Sequence, residues 1–415
     1  MKTKYLILGA GISGLSLTSN LDSDDYIIIE KENTAGGLCR THKTNGYIWD
    51  YAGHFFHFRN EETKKYFEPV VGENDECVKQ EKNTKIYYRN RYVDYPFQKN
   101  IHQLPKDDFI DCLYHLYFKE EKDEYKSFKD MLFGKFGKGI CDRFLIPYNE
   151  KLYACDLDLL DKNAMGRFFP YADLADIIQN MKTGHSSSYN DTFIYPYGGA
   201  QTVIDYLLRA INLKKLHLNE EVQFVDWKNH IVTTNKKTYE YENLINTIPF
   251  NQFLDLCEID YKEKLSWNKV LVFNIGFNKA PIDNSIHWIY YPDKSINFYR
   301  IGFYNNILNQ DKMSIYVEIG FEKNDSIDIE TQYKLTLDNL KKCGLITDHE
   351  VEAYESIIMD PAYVHISNES QQFKAEIEEK LKENNAFSIG RYGAWTYCSM
   401  EDCFITAKEL SNKIS

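Results

Sequence analysis

Lys4-Tyr-Leu-Ile-Leu-Gly9-Ala-Gly11-Ile-Ser-Gly14 decides how the rest of the chain is read. The first five residues are an apolar run of the kind that fills a parallel strand buried on both faces. Three glycines follow at the spacing Gly-x-Gly-x-x-Gly. Gly9 permits a tight turn, Gly11 lets backbone approach a pyrophosphate, and Gly14 lets the following helix pack close to the strand. Leu15–Leu21 reads as that helix, and its N-terminus faces any phosphate held by the turn. Tyr26–Glu30 reads as a second buried strand. Glu30 at its end supplies a carboxylate that can accept from ribose hydroxyls. Strand, glycine turn, helix, strand and terminal acid together predict a dinucleotide-binding unit.

Working outward, residues 31–60 read as a glycine-rich, aromatic loop. Residues 85–97 hold short strands that stop at Tyr95-Pro96. From Pro105 to about Met181 the apolar spacing of three and four predicts helices. Thr192–Gly199 reads as a strand leading into a Gly-Gly turn, with a helix over Ala200–Ile211. Short strands are predicted over 216–248 and a second sheet over 269–322. Thr331–Cys343 reads as a helix, and Cys403–Lys413 as a closing one. The expected fold class is α/β: a doubly wound, Rossmann-like dinucleotide-binding domain with an inserted helical domain and a second, antiparallel sheet domain. The segments expected to form them are 1–84, 186–254 and 366–415 for the cofactor domain, 101–185 for the helices, and 85–100 with 255–365 for the sheet that meets substrate.

The chain has 415 residues, 43% of them hydrophobic, which is enough for more than one core. Its net charge of −13 argues against a nucleic-acid surface. A few arginines in a cleft can still hold a small anion. The nine cysteines show no metal-binding spacing, and no apolar run approaches the ~20 residues of a membrane span. These features predict a soluble, cytoplasmic protein with reduced thiols and no membrane partner. A homo-oligomer is compatible with the sequence.

Ala35-Gly36-Gly37-Leu-Cys-Arg40 follows Glu30 closely, as in flavoproteins of the amine-oxidase-like class, where such an arginine neutralises the pyrophosphate. Glu221-Val222 resembles the segment whose backbone meets adenine in that class, and Leu244–Pro249 the strand that returns beneath the cofactor. FAD is therefore expected as the tightly bound cofactor in place of NAD, with NADPH or NADH as candidate reductants. Simple strand packing would also account for Val222.

Further blocks are similar to those of the UDP-galactopyranose mutase family, in its eukaryotic-like branch. They are Asp50-Tyr-Ala-Gly53-His54-Phe-Phe-His57, Tyr95-Pro-Phe97-Gln98-Lys-Asn100, Pro147-Tyr-Asn149, Asn190-Asp-Thr-Phe193, Trp288-Ile-Tyr290-Tyr-Pro292, Phe298-Tyr-Arg300 and Gly390-Arg391-Tyr-Gly393-Ala-Trp395-Thr-Tyr397. They run in the family's order along the chain. The resemblance implies that Phe97 stacks on uracil, that Gln98 bonds its edge, and that Trp288 and Tyr290 lie at the nucleotide. Arg300 would neutralise the diphosphate, with Arg167 as the nearest candidate for a second arginine and Tyr363 and Tyr397 as hydroxyl donors. Arg391 and His54 would sit at the flavin, Tyr153 and Asn190 at the sugar. Taken alone, Phe97 reads as core, His54 as a satisfied interior histidine and Arg300 as a salt-bridge residue.

The activity so implied is interconversion of UDP-galactopyranose and UDP-galactofuranose through a covalent adduct at reduced flavin N5, supplying galactofuranose to cell-surface glycans. Two alternatives stay open: a mutase for another nucleotide sugar, and an amine-oxidase-like FAD oxidoreductase. No metal site is expected.

Overall fold

Lys2–Leu8 is the central strand of a seven-stranded sheet, parallel to Tyr26–Ile29 on one side and to Thr238–Asn246 on the other. We describe the fold from a computed structural model covering residues 1–183 and 191–415. The sheet order runs Val222–Asp226, Ile231–Thr234, Thr238–Asn246, Lys2–Leu8, Tyr26–Ile29, Leu216–His217, and Ala386–Ser388 pairs in parallel with the end of Thr238–Asn246. Tyr5 through Leu8 are fully buried because helices cover both faces. Ile12–Ser19, Gln201–Arg209 and Met400–Ile414 pack on one face, and Phe250–Leu256 and Asn368–Lys382 on the other. This is the expected α/β class.

A second seven-stranded sheet has the order Val351–Met359, Asn268–Phe277, Ser314–Glu322, Arg300–Phe303, Trp288–Tyr290, Thr84–Tyr88, Arg91–Asp94. Its pairings are antiparallel except that of Trp288–Tyr290 with Thr84–Tyr88. One face is covered by the helix Ile329–Lys342. The other shares a single core with the helices Lys106–Tyr117, Phe128–Ile140 and Ile146–Tyr153. The helical segment therefore does not stand apart from the sheet.

Two local features differ from the sequence reading. Residues 31–60 contain a hairpin, Thr41–Thr44 with Tyr47–Asp50, closed by Asn45 and Gly46 at φ of 52° and 86°. Asn-Gly is the pair that a two-residue hairpin turn with left-handed backbone favours. Thr192–Pro196 joins neither large sheet and pairs with Cys77–Glu81 in a separate ribbon.

Candidate active site

Gly9 has φ of +98°, and a Cβ there would lie 2.7 Å from Thr247 Oγ1. A Cβ on Gly14 would lie 2.1 Å from the carbonyl oxygen of Gly9, so strand and helix approach closely only because position 14 is bare. Gly37, at φ +56°, backs onto Gly11, whose Cα would be 3.3 Å from an added Cβ. The turn and the Gly36-Gly37 loop thus form one side-chain-free cradle, at the start of a helix whose first residues carry no side-chain cap. Thr247 Oγ1 donates to the Leu8 carbonyl at 2.7 Å and fixes the returning strand beneath it. Glu30 receives the Ala10 and Glu32 amides at 2.8 and 3.0 Å. Arg40 is aimed by its Nε donating to the Gly37 carbonyl at 2.8 Å and lies over the Tyr51 ring.

From this cradle a cavity of about 790 Å³ runs between the two sheets. Gly9, Gly11, Glu30, Gly37, Arg40 and Val222 line one end of it, and His54, Arg300, Tyr363, Arg391 and Tyr397 line the other. Gly14 supports it from behind. A glycine cradle, a ribose-height carboxylate and a long slot suit a flavin dinucleotide.

At the far end Tyr363 and Tyr397 stack, with ring centroids 5.9 Å apart, and the Arg391 guanidinium lies 4.6 Å from the Tyr397 ring centre. Arg391 Nη1 donates to the Cys398 carbonyl at 2.8 Å. Burial pushes the Tyr397 phenol up to about 12, so it remains a donor. Arg300 faces Glu318 across neighbouring strands and forks onto it, Nη2 to Oε1 at 2.7 Å with Nε on the second oxygen. Glu318 is 1% exposed, so this pair is desolvated. His54 Nδ1 is buried without a partner, and burial, reinforced by Arg391 and Arg300, pushes its pKa down to about 4. A neutral imidazole with an unmet polar atom is left at the cavity wall.

Other residues singled out from the sequence lie behind this wall. Phe97 is fully buried and stacks on Phe144 at 5.1 Å, which is the core role it has without any family comparison. Gln98 is also fully buried; its amide nitrogen donates to the Pro170 carbonyl, and its Oε1 has no partner. Trp288 Nε1 donates to the Tyr316 hydroxyl. Tyr290 packs between Tyr95 and Tyr148, and sits opposite Arg300 in strand register. Tyr153 is 2% exposed, contacts Tyr363, and leaves its hydroxyl unpaired. Arg167 does not line the cavity. Its Nη2 donates to both carboxylate oxygens of Asp402 at 2.7 and 2.8 Å, beside Phe168, which packs edge-on to Tyr397. Asn190 lies outside the described residues.

Two site residues escaped the sequence reading. Glu318 could have been noticed as a charge inside the apolar strand Ser314–Glu322. Lys82 gave no signal. Its ammonium sits over Tyr95 and Trp288 at 5.1 and 5.8 Å, and burial, with Arg300 acting the same way, pushes it down to about 8. Among the described residues no cluster fit for a metal ion occurs, and no helix is long and apolar enough to cross a membrane.

A family model described as flavin containing amine oxidoreductase matches residues 12–414. Several solved structures share the fold. A reduced UDP-galactopyranose mutase superposes with a TM-score of 0.92 at 23% identity, over 99% of this chain and 95% of the other. A putative protoporphyrinogen oxidase from Exiguobacterium sp. 255-15 gives 0.76 at 14% identity, over 99% and 98%. A putrescine oxidase bound to putrescine gives 0.68 at 12% identity, over 100% and 99%.

Proposed function

The chain belongs to the flavin containing amine oxidoreductase family, and on that premise we propose that it is a flavin-dependent mutase interconverting UDP-galactopyranose and UDP-galactofuranose. The observation that carries the reading is the cluster of Arg300, Arg391, Tyr363 and Tyr397 at the end of the flavin cavity. Guanidinium forks and phenol donors suit the oxygens of a diphosphate. Glu318 compensates Arg300, so the Arg391 guanidinium is the cation that would meet an incoming ammonium, which speaks against amine oxidation. The likeness in fold to a UDP-galactopyranose mutase supports the same choice.

In this reading the cofactor is FAD, held by Gly9, Gly11, Gly37, Glu30, Arg40 and Val222. Residues 1–84, 186–254 and 366–415 form its domain, 101–185 the helical domain, and 85–100 with 255–365 the sheet that meets substrate. When bound and reduced, the flavin supplies an electron-rich centre able to attack an anomeric carbon; NADPH or NADH would be its reductant. The protein's part is electrostatic. Arg300 and Arg391 stabilise charge that develops on the departing UDP, and the Tyr363 and Tyr397 hydroxyls donate to it. Neutral His54 leaves the wall free of a competing positive charge. Because Arg300 is already paired, an arriving diphosphate shares that guanidinium with Glu318. Phe97, Gln98, Trp288 and Tyr290 would contact the uridine, with Tyr153 and Asn190 at the sugar and Arg167 at the diphosphate. The product would feed glycan assembly.

The test is conversion of UDP-galactofuranose to the pyranose by dithionite-reduced protein, followed by chromatography with oxidised protein as control. Turnover in the reduced sample alone is expected. Flavin-bearing protein that binds UDP without turnover would move the reading to another nucleotide sugar. Absence of UDP binding with oxygen uptake on amines would overturn it.

A further inference from the structure

The isomerisation leaves one group of side chains at the cavity unused. Cys39, Cys398, Met400 and Cys403 all line it. Cys39 Sγ lies 3.7 Å from Met400 Sδ, and Cys398 Sγ lies 3.8 Å from Cys403 Sγ. The second contact is set by how the last helix begins. Ser399 caps Met400–Ile414 and forms a capping box with Asp402. Cys398 therefore stands just before the cap and Cys403 at the fourth helical position. A staple joins those two places across a helix start. A staple needs only apolar bulk, and here both members are thiols.

Their surroundings favour chemistry. Arg391, which lines the same cavity, donates to the Cys398 carbonyl at 2.8 Å. Ser13, in the first turn of the dinucleotide helix, packs so tightly on this segment that a Cβ on Gly390 would lie 2.1 Å from its hydroxyl. The contact with Cys398 couples the two thiols and holds Cys403 below its ordinary value, and Ser13 and Arg391 act the same way. The other eight cysteines are shifted upward; in seven of them burial is the leading cause. A thiol that ionises readily next to a second thiol is the arrangement from which disulfides form. A disulfide spans about 2.05 Å, so the sulfurs need approach by only about 1.8 Å from their 3.8 Å separation.

We propose that Cys398 and Cys403 are a redox-active dithiol that exchanges an electron pair with the flavin. In the forward direction the two S–H bonds break and one S–S bond forms. The two electrons and two protons pass to the oxidised flavin ring, which becomes the reduced ring. An external dithiol then restores the pair by thiol–disulfide exchange and leaves as its own disulfide. The pair would thus be an entry point for the electrons that the mutase reading requires. The proposal rests on the flavin assignment of the cavity and not on the identity of the sugar.

The experiment is an anaerobic dithionite titration of air-oxidised holoenzyme, followed through the flavin absorbance, alongside mass spectrometry of the tryptic segment Tyr392–Lys408. Wild type is expected to take up two electron pairs per flavin, and Cys398→Ser and Cys403→Ser one pair each with flavin content unchanged. The segment from oxidised wild type is expected to be two hydrogens lighter and to regain them once the flavin is reduced. One electron pair in wild type, with free thiols throughout, would overturn the proposal. So would a disulfide that survives once dithionite is in excess over both centres. Both results come from wild type, so they stand even if a variant folds poorly. Protein that neither carries nor takes up flavin would instead overturn the cofactor reading beneath it.

Discussion

Arg300 and Glu318 occupy facing positions on adjacent strands, and their charges have left water together. Removing one member of such a pair strands the other, whereas removing both does not. Arg300→Met is therefore expected to lower stability by ~3 kcal/mol, and the double variant Arg300→Met/Glu318→Gln to recover most of it. Thermal unfolding of wild type, Arg300→Met, Glu318→Gln and the double variant checks this. In the same set, UDP affinity should fall ~10- to 100-fold wherever Arg300 is missing, since a charge-assisted contact is worth ~1.5–3 kcal/mol. The buried histidines make a second case. His287 Nδ1 accepts from the Asn83 amide at 3.1 Å, which seats that ring neutral, and His365 Nε2 donates to the Tyr153 carbonyl at 2.9 Å. Burial pushes both, like His54, from 6.5 down to about 4. Between those values the unfolded chain binds the extra protons, so stability is lost as pH falls through that window. Asp50 acts oppositely. Burial raises it from 3.8 to about 7, so its share of stability is lost as pH rises through that range. His57 is pushed down to about 4 by burial as well, so four groups oppose one, and Tm is expected to drop on going from about pH 7 to about pH 5. A flat profile would show that the rings carry protons in the folded state.

At the scale of elements, the glycine turn was legible because each glycine answers a separate steric demand. Gly14→Ala would place a methyl 2.1 Å from the Gly9 oxygen, and Gly9→Ala would strain a φ of +98°. Both are expected to abolish flavin loading, measured as absorbance per polypeptide after purification, whereas Gly46→Ala, with nothing within 4 Å, should cost only its turn strain. The Thr41–Asp50 hairpin went unread: Asn45-Gly46 carries its turn signal, but the glycine-rich and aromatic surroundings read as loop. The Cys77–Glu81 ribbon was not legible, since its partner lies more than a hundred residues away and nothing local specifies a two-stranded pairing. For the site, the sequence identified residues by type and order, but not which side of a wall each occupies. Phe97 and Arg391 illustrate this: one packs in the core and the other lines the cavity. Lys151 makes the same point about contacts. It sits on the helix Ile146–Tyr153 and donates to the carbonyls of Tyr291, Phe298 and Asp293 at 2.7, 2.5 and 2.9 Å, tying the helices to the second sheet. Lys151→Met leaves these acceptors unmet and is expected to cost ~2 kcal/mol in thermal or urea unfolding.

Across the whole molecule, the order of strands decides how it unfolds. Lys2–Leu8 pairs with Thr238–Asn246, which in turn pairs with Ala386–Ser388, so the cofactor sheet closes only when the ends and middle of the chain are together. The last helix reinforces this. Tyr5 donates its hydroxyl to the Ile414 carbonyl at 2.7 Å, and Arg167 of the helical segment grips Asp402. The helical segment shares its core with the second sheet. No large unit can therefore leave without exposing a neighbour's apolar face, although a chain of 415 residues would often melt in steps. The expected outcome is one transition. Far-ultraviolet circular dichroism, tryptophan fluorescence and release of flavin fluorescence should give coincident midpoints in a urea titration. Asp402→Asn, which removes the Arg167 anchor, should move all three together by the same amount. If flavin were released well before the circular dichroism changed, the cofactor sheet would be opening by itself, and the coupling inferred from its strand order would be wrong.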